Sequence, residues 1–144
     1  MVKKYSLFVV CLLFTACGFA QDRQTSFQSF WDQFRTGVMS GDKTYIADLT
    51  RFPFETRGPD DGDPIHHYER KRFIKLYDRL MGELVYAFDD RGKMVNKTMR
   101  AVIEEKARVT ERDVPSDDFA RVENFEFKRL KGKWRFIRAY TEER

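Results

Sequence analysis

Large apolar residues recur at helical spacing in the segment that begins at residue 25. They occupy one continuous stripe of a helix, at Phe27, Phe30, Trp31, Phe34 and Val38. The stripe predicts an amphipathic helix over residues 25–40, in which Thr25 and Gln28 have capping-box spacing and Gly41 provides the stop. We expect the aromatic side of this helix to face a hydrophobic core.

Two further helices are predicted downstream of this one. Residues 42–50 have Asp42 as N-cap, and residues 69–81 repeat the helical spacing at Phe73, Leu76, Tyr77, Leu80 and Met81. Between them, Phe52-Pro53-Phe54 predicts a short extended piece that Pro53 restricts to an edge strand or a strand start. Residues 57–64 are rich in Gly, Pro and Asp, which predicts a loop.

The second half of the chain predicts strands. Residues 84–88 predict a strand followed by a turn, whereas residues 94–112 fit either a helix or a strand. Residues 122–130 and 134–140 flank Lys131-Gly132-Lys133, which predicts a β-hairpin with one aromatic face. We therefore interpret residues 25–144 as a single α+β domain, preceded by a short linker at residues 21–24.

The first twenty residues have the composition of a secretory leader. Lys3 and Lys4 precede an uncharged, largely apolar run that ends on Gly18-Phe19-Ala20, which predicts a signal peptide over residues 1–20 and export to the periplasm or the cell exterior. A second interpretation stays open, because residues 13–17 resemble a lipobox in which Cys17 is lipidated and tethers the chain to a membrane.

The leader also changes the cysteine count and the charge. Cys11 and Cys17 are the only cysteines and both lie within it, so neither processing route allows an intramolecular disulfide. Loss of Lys3 and Lys4 lowers the 27 basic residues to 25 against 23 acidic ones, a net charge of +2. The aromatic content of 15% argues against disorder and for a Phe-rich core.

The order of these segments resembles the NTF2-like superfamily. The similarity rests on residues 27–54, residues 69–81 and the hairpin over residues 125–140, which includes Gly132-Lys133-Trp134-Arg135-Phe136. It implies helices packed on a curved antiparallel sheet, in a cone that encloses a pocket. The family includes ketosteroid isomerases as well as binding modules, so the resemblance implies no catalytic residue here.

The aromatic excess predicts a non-catalytic envelope domain that binds an apolar or aromatic ligand, or a protein partner. The predicted pocket residues are Phe54, Tyr68, Tyr77, Tyr86, Phe127, Trp134 and Phe136. One alternative is an enzyme of isomerase or dehydratase type that uses His66, His67 or a buried Glu or Asp as base. A second alternative is a structural component of the envelope, with a homodimer as its simplest assembly.

Other chemistry is weakly represented in the sequence. His66 and His67 are adjacent and would point to opposite sides of a strand, so we interpret them and Asp60, Asp61 and Asp63 as polar rather than metal-binding. The basic and aromatic residues of the hairpin are typical of single-stranded nucleic-acid binders, but the leader argues against that partner. We predict no metal, no cofactor and no nucleic acid, and contact with a membrane only through Cys17.

Overall fold

The structure is a computed structural model; it describes residues 15–142, with side chains described from residue 22 onwards. Residues 1–14, which include Lys3, Lys4 and Cys11, lie outside the described residues, and so does the side chain of Cys17. The leader and its two processing routes therefore stay predictions. No helix in the described part of the chain is long and apolar enough to span a membrane.

One or two helices alternate with groups of two or three strands along the described residues. The helices are α1 Thr15–Ser40, α2 Lys43–Asp48, α3 Arg70–Gly82 and α4 Met99–Glu105. The strands are β1 Thr50–Arg57, β2 Ile65–Tyr68, β3 Leu84–Phe88, β4 Met94–Thr98, β5 Phe119–Val122, β6 Phe125–Leu130 and β7 Lys133–Tyr140. The predicted α+β class is confirmed.

Five strands form an open sheet in the order β2-β1-β7-β6-β5, and β3 and β4 form a separate two-stranded sheet. Neighbouring strands of the large sheet are antiparallel except β1 and β7, which run parallel. The sheet is therefore mixed, where the sequence predicted an antiparallel one. The parallel pair joins the two halves of the chain, because β1 and β7 are far apart in sequence.

The aromatic stripe of α1 faces the hydrophobic core, as predicted, and it packs there on β6 and β7. The ring centroids of Phe34 and Phe136 are 5.1 Å apart, and those of Phe27 and Phe127 are 5.3 Å apart. Trp31 donates its indole N–H to the Lys106 carbonyl at 2.7 Å, beyond the last turn of α4. The helix thus closes the core and also satisfies a carbonyl that the end of α4 leaves without a helical partner.

Helix α1 begins at Thr15, ten residues before its predicted start. Residues 21–24 are helical, so the predicted linker and the predicted capping box at Thr25 are wrong. This additional helical turn contacts the rest of the protein, because the side-chain amide of Gln24 donates a hydrogen bond to the Val109 carbonyl at 2.8 Å. Polar residues in this turn contact the segment after α4, which a capping motif read from sequence does not reveal.

Helix α2 begins as predicted, and it lies close to the end of α1. The Asp42 side chain accepts a hydrogen bond from the Tyr45 amide at 2.9 Å, which is the N-cap contact. A Cβ at Gly37 would lie 2.7 Å from a ring carbon of Tyr45, which is shorter than side chains tolerate. Gly37 therefore allows the close approach of the two helices.

Pro53 lies inside the sheet, so its predicted place in an edge strand is wrong. Strand β1 has β2 on one side and β7 on the other. The peptide bond between Phe52 and Pro53 is cis, and the register between β1 and β7 shifts between Thr50 and Glu55. The sheet accommodates Pro53, which lacks an N–H, at this irregularity; neither an edge strand nor a strand start, the two predicted places, describes it.

The ambiguous segment 94–112 contains both structures that the sequence allowed. Strand β4 ends at Thr98, whose side chain then caps α4 by accepting from the Ala101 amide at 3.2 Å.

The predicted hairpin is formed by β6 and β7 around Lys131 and Gly132, whose φ values of 50° and 78° suit a two-residue turn. Strand β5 was not predicted.

Candidate functional site

A cavity of about 230 Å³ lies between α3 and the strands β1 and β2. Its floor is apolar and consists of Phe54, Phe73, Leu76 and Leu80. Phe54 and Phe73 contact each other with ring centroids 4.9 Å apart, and both are at most 1% exposed. The floor is therefore continuous with the hydrophobic core.

The rim of the cavity is polar. It consists of Thr56, His66, Tyr68, Arg79, Glu83 and Thr141. Thr56 lies opposite His66 in the β1–β2 register, and Phe54 lies opposite Tyr68, so these four side chains share the face of the sheet that α3 covers. The Thr56 hydroxyl donates to the Tyr68 hydroxyl at 3.4 Å. Arg79 and Glu83 come from the last turn of α3 and its C-cap.

The structure brings three of the predicted site residues together at this cavity, namely Phe54, Tyr68 and His66. His67 points to the opposite face of the sheet, where its Nδ1 lies 3.9 Å from a Glu55 carboxylate oxygen. The two histidines therefore point to opposite sides, as their adjacency on a strand predicts. His66 is exposed at the mouth of the cavity.

The other predicted pocket residues lie elsewhere. Phe127, Trp134 and Phe136 are 6% exposed or less and pack against α1, which fills the interior on that side of the sheet. Tyr77 is fully buried on the core-facing side of α3, and Tyr86 is 57% exposed on the two-stranded sheet. A ligand contact with Phe127, Trp134, Phe136 or Tyr77 would need the core to open.

Sequence reasoning missed Thr56, Arg79, Glu83 and Thr141. Thr56 alternates with Phe54 on β1, so the strand period could have placed it on the same face. Thr141 reaches the cavity because β7 pairs with β1, and its amide donates to the Arg57 carbonyl at 2.8 Å. That long-range pairing has no local signal in the sequence.

A second cavity, of about 210 Å³, lies between the two-stranded sheet and α4. Its walls include Phe88, Val102 and five charged residues, Asp90, Lys97, Glu105, Lys106 and Glu123. Lys97 pairs with Glu105, and the hydrogen bond between them raises the pKa of the Lys97 ammonium. Because these charges pair with one another, this cavity is a weaker candidate for a ligand than the first.

A row of charged side chains crosses the face of the large sheet that the helices leave uncovered. Strand pairing aligns five residues, one from each strand: His67, Glu55, Arg138, Glu126 and Arg121. Arg138 donates to Glu55 at 2.8 Å and to Glu126 at 3.2 Å. Burial lowers the pKa of Arg138, but the hydrogen bonds to Glu55 and Tyr140 and the charges of Glu126 and Glu55 together outweigh it, so the pKa is raised. These groups satisfy one another, which indicates a structural role.

The acidic loop between β1 and β2 binds its own backbone. Asp63 accepts from the Asp60 amide at 2.9 Å, and Asp61 lies 3.4 Å from the Arg57 guanidinium. Across the described residues, no three His, Cys, Asp or Glu side chains come together in a group that could hold a metal ion. The loop is polar and internally bonded in this structure.

The chain was also compared with known proteins. No protein family, curated protein or solved structure in these comparisons matches it. The resemblance to the NTF2-like superfamily therefore stays a prediction.

Proposed function

We propose that this chain is an exported, NTF2-like domain that binds a small, mainly apolar ligand in the cavity between α3 and β1–β2. The observation that carries the proposal is the division of this cavity into an apolar floor and a polar rim. A hydrophobic floor provides affinity through burial, and a few polar groups fix orientation. The helices on one face of an open sheet support the NTF2-like part of the proposal.

The size of the cavity limits the ligand. Its volume of about 230 Å³ is below the roughly 300–1,000 Å³ of sites for drug-sized molecules. A ligand of about one ring, or a short aliphatic chain, fits this space. Its polar end would lie at the rim, where His66, Thr56 and Tyr68 offer hydrogen-bonding groups.

A substitution on α3 tests the site directly. Leu76→Trp places a large ring in the cavity, and Lys75→Trp adds the same ring one residue away on the exposed surface of the helix. With a panel of single-ring carboxylic acids and alcohols, followed by NMR titration, we expect Leu76→Trp to weaken binding by more than about tenfold, a loss of roughly 1.4 kcal/mol. Lys75→Trp should bind like the unsubstituted chain.

Two outcomes would overturn this site. One is the absence of saturable binding by the unsubstituted chain, and the other is equal binding by both tryptophan variants. Folding of each variant is checked by its amide spectrum, so that a loss of binding is not confused with unfolding.

The alternative function is an enzyme of isomerase or dehydratase type, and the observation that favours it is the place of His66 at the rim. A neutral imidazole there could accept a proton from a ligand on the floor. His66→Gln separates the two functions through turnover. A binding domain keeps most of its ligand affinity and has no turnover in either form, whereas an enzyme keeps its affinity and loses turnover. Release or uptake of water, or a shift of a double bond in the bound ligand, would establish the enzyme.

A further inference from the structure

The β6–β7 hairpin carries an unusual density of positive charge at its turn. Between Lys128 and Arg135, five of eight residues are basic and none is acidic: Lys128, Arg129, Lys131, Lys133 and Arg135. Four of the five are exposed and Arg135 is half-buried. We call these five residues the basic turn.

The charges of the basic turn are not neutralised within the described protein. Among residues 22–142 none of the five forms an ion pair, whereas Arg121 and Arg138 on the same sheet do. Arg129 and Arg135 donate to the backbone carbonyls of Gly132 and Trp134, each at 3.3 Å. Two acidic residues just before β5 have other partners, since Asp117 pairs with Arg23 and Asp118 accepts a hydrogen bond from Ser116.

Two of these cations oppose each other directly. Lys128 and Arg135 are cross-strand partners, and like charges in this position destabilise a sheet. A protein that keeps such a pair on a solvent-facing surface loses stability by it. An anionic surface bound at this turn would attract both cations and offset their mutual repulsion.

The aromatic residues of the hairpin decide against single-stranded nucleic acid. Base stacking needs exposed ring faces, but Phe125, Phe127 and Phe136 are fully buried and Trp134 is 6% exposed. The basic turn is therefore an array of charges without a stacking platform. Attraction to a layer of anionic lipid requires only the charges.

The position of the basic turn in the fold is the second argument for a membrane. Trp134 donates to the Ser26 hydroxyl at 3.4 Å, and its ring lies 4.9 Å from Phe27. Further along both elements, Phe136 lies beside Phe34, so β7 runs in the same direction as α1. The turn that precedes β7 therefore lies beside the N-terminal half of α1, the half that contains Cys17.

We propose that the basic turn docks this protein on a surface of anionic phospholipid. Each cation near such a surface contributes attraction that decays within a Debye length of the charge. A membrane tether at Cys17, if the chain is processed by that route, would leave the same end of the molecule against the lipid. The docking does not depend on that tether or on the ligand cavity.

Vesicle binding by the full chain tests the proposal. The variant Lys128→Gln/Lys131→Gln/Lys133→Gln removes three charges from the basic turn, and Lys71→Gln/Lys75→Gln/Lys93→Gln removes three exposed charges elsewhere. Binding is measured by co-sedimentation with vesicles of phosphatidylcholine alone or with about one-third phosphatidylglycerol, near about 0.15 M salt. The leader is common to the unsubstituted chain and both variants, so differences in vesicle binding between them report on the charges that were removed.

We expect the unsubstituted chain and the control variant to prefer the anionic vesicles, and the basic-turn variant to bind them about 100-fold more weakly. Salt of about 0.5 M should release the unsubstituted chain. Equal binding to both vesicle types would overturn the proposal, as would an equal loss in both variants. Tighter binding of the unsubstituted chain to DNA duplex or single strand than to anionic vesicles would also overturn it.

Discussion

Tyr77 on α3 is fully buried, and its hydroxyl has no hydrogen-bond partner among residues 22–142. Burial raises its pKa to about 12, against a partly opposing effect of the Arg100 charge. A phenol in this position gains nothing from its oxygen at neutral pH, because a buried polar group without a partner carries the cost of lost hydration. The ring itself supplies the packing.

This environment predicts a specific response to alkali. The folded pKa of Tyr77 is above its unfolded value of about 10, so the neutral phenol stabilises the fold fully below pH 10 and the contribution is lost as pH rises through about 12. Urea unfolding should show the unsubstituted chain losing about 2 kcal/mol more than Tyr77→Phe over this range. Tyr86→Phe, at an exposed position, is the control and should behave like the unsubstituted chain. Parallel alkaline losses in the unsubstituted chain and Tyr77→Phe would contradict the assignment.

At the scale of elements, the β6–β7 hairpin combines a buried aromatic face with repulsion on the other face. Lys128→Glu places opposite charges across from each other at the Lys128–Arg135 pair. We expect the free energy of unfolding to rise by about 0.5 kcal/mol, measured by urea unfolding, while binding to anionic vesicles falls. Lys75→Glu on α3 makes the same charge change away from the turn and should leave vesicle binding intact. A Lys128→Glu protein that is less stable and binds vesicles normally would refute both effects.

Elements with a local signal could be predicted from the sequence. The stripe of α1, the cap at Asp42 and the turn at Lys131 and Gly132 each place their signal within a few residues, and the structure confirms them. Strand β5 was not predicted, because it has only four residues and because the turn that joins it to β6, Glu123 and Asn124, contains no glycine to indicate a turn. Glu123 nevertheless has a φ of 51°. The division of residues 94–112 at Thr98 was not predicted, although threonine is a residue type that favours helix N-caps.

Only the part of the candidate site that β1 and β2 contribute could be predicted from the sequence. Phe54, Tyr68 and His66 lie on two strands joined by a short loop. Their proximity therefore follows from the alternation of side chains between the two faces of each strand. Arg79 and Thr141 reach the same cavity through packing of α3 and through the pairing of β1 with β7. No period or motif in the sequence encodes that pairing.

At the scale of the whole molecule, one core joins α1 to the large sheet. Phe127 lies at its centre, with ring centroids of Phe27 and Phe34 each 5.3 Å away and that of Trp31 5.8 Å away. Trp31 and Trp134 belong to the same core, so tryptophan fluorescence reports on it. We therefore expect fluorescence and far-UV circular dichroism to give the same urea midpoint.

Phe127→Ala tests this cooperativity. The variant should lose about 4 kcal/mol of unfolding free energy, and both signals should shift together. Phe88→Ala removes the same ring from a position that is 65% exposed and should cost less than about 0.5 kcal/mol. Separate midpoints for the two signals would show that the sheet and α1 unfold independently.

Strand β7 follows the other strands in the sequence, yet it lies between β1 and β6 in the large sheet. During synthesis, the strands that flank it are made before the one that joins them. Until residues 133–140 emerge, the inner edges of β1 and β6 have no partner and are open to pairing with other chains. We expect the large sheet not to form until residues 133–140 have been synthesised, and a holding chaperone to protect the chain from aggregation until then.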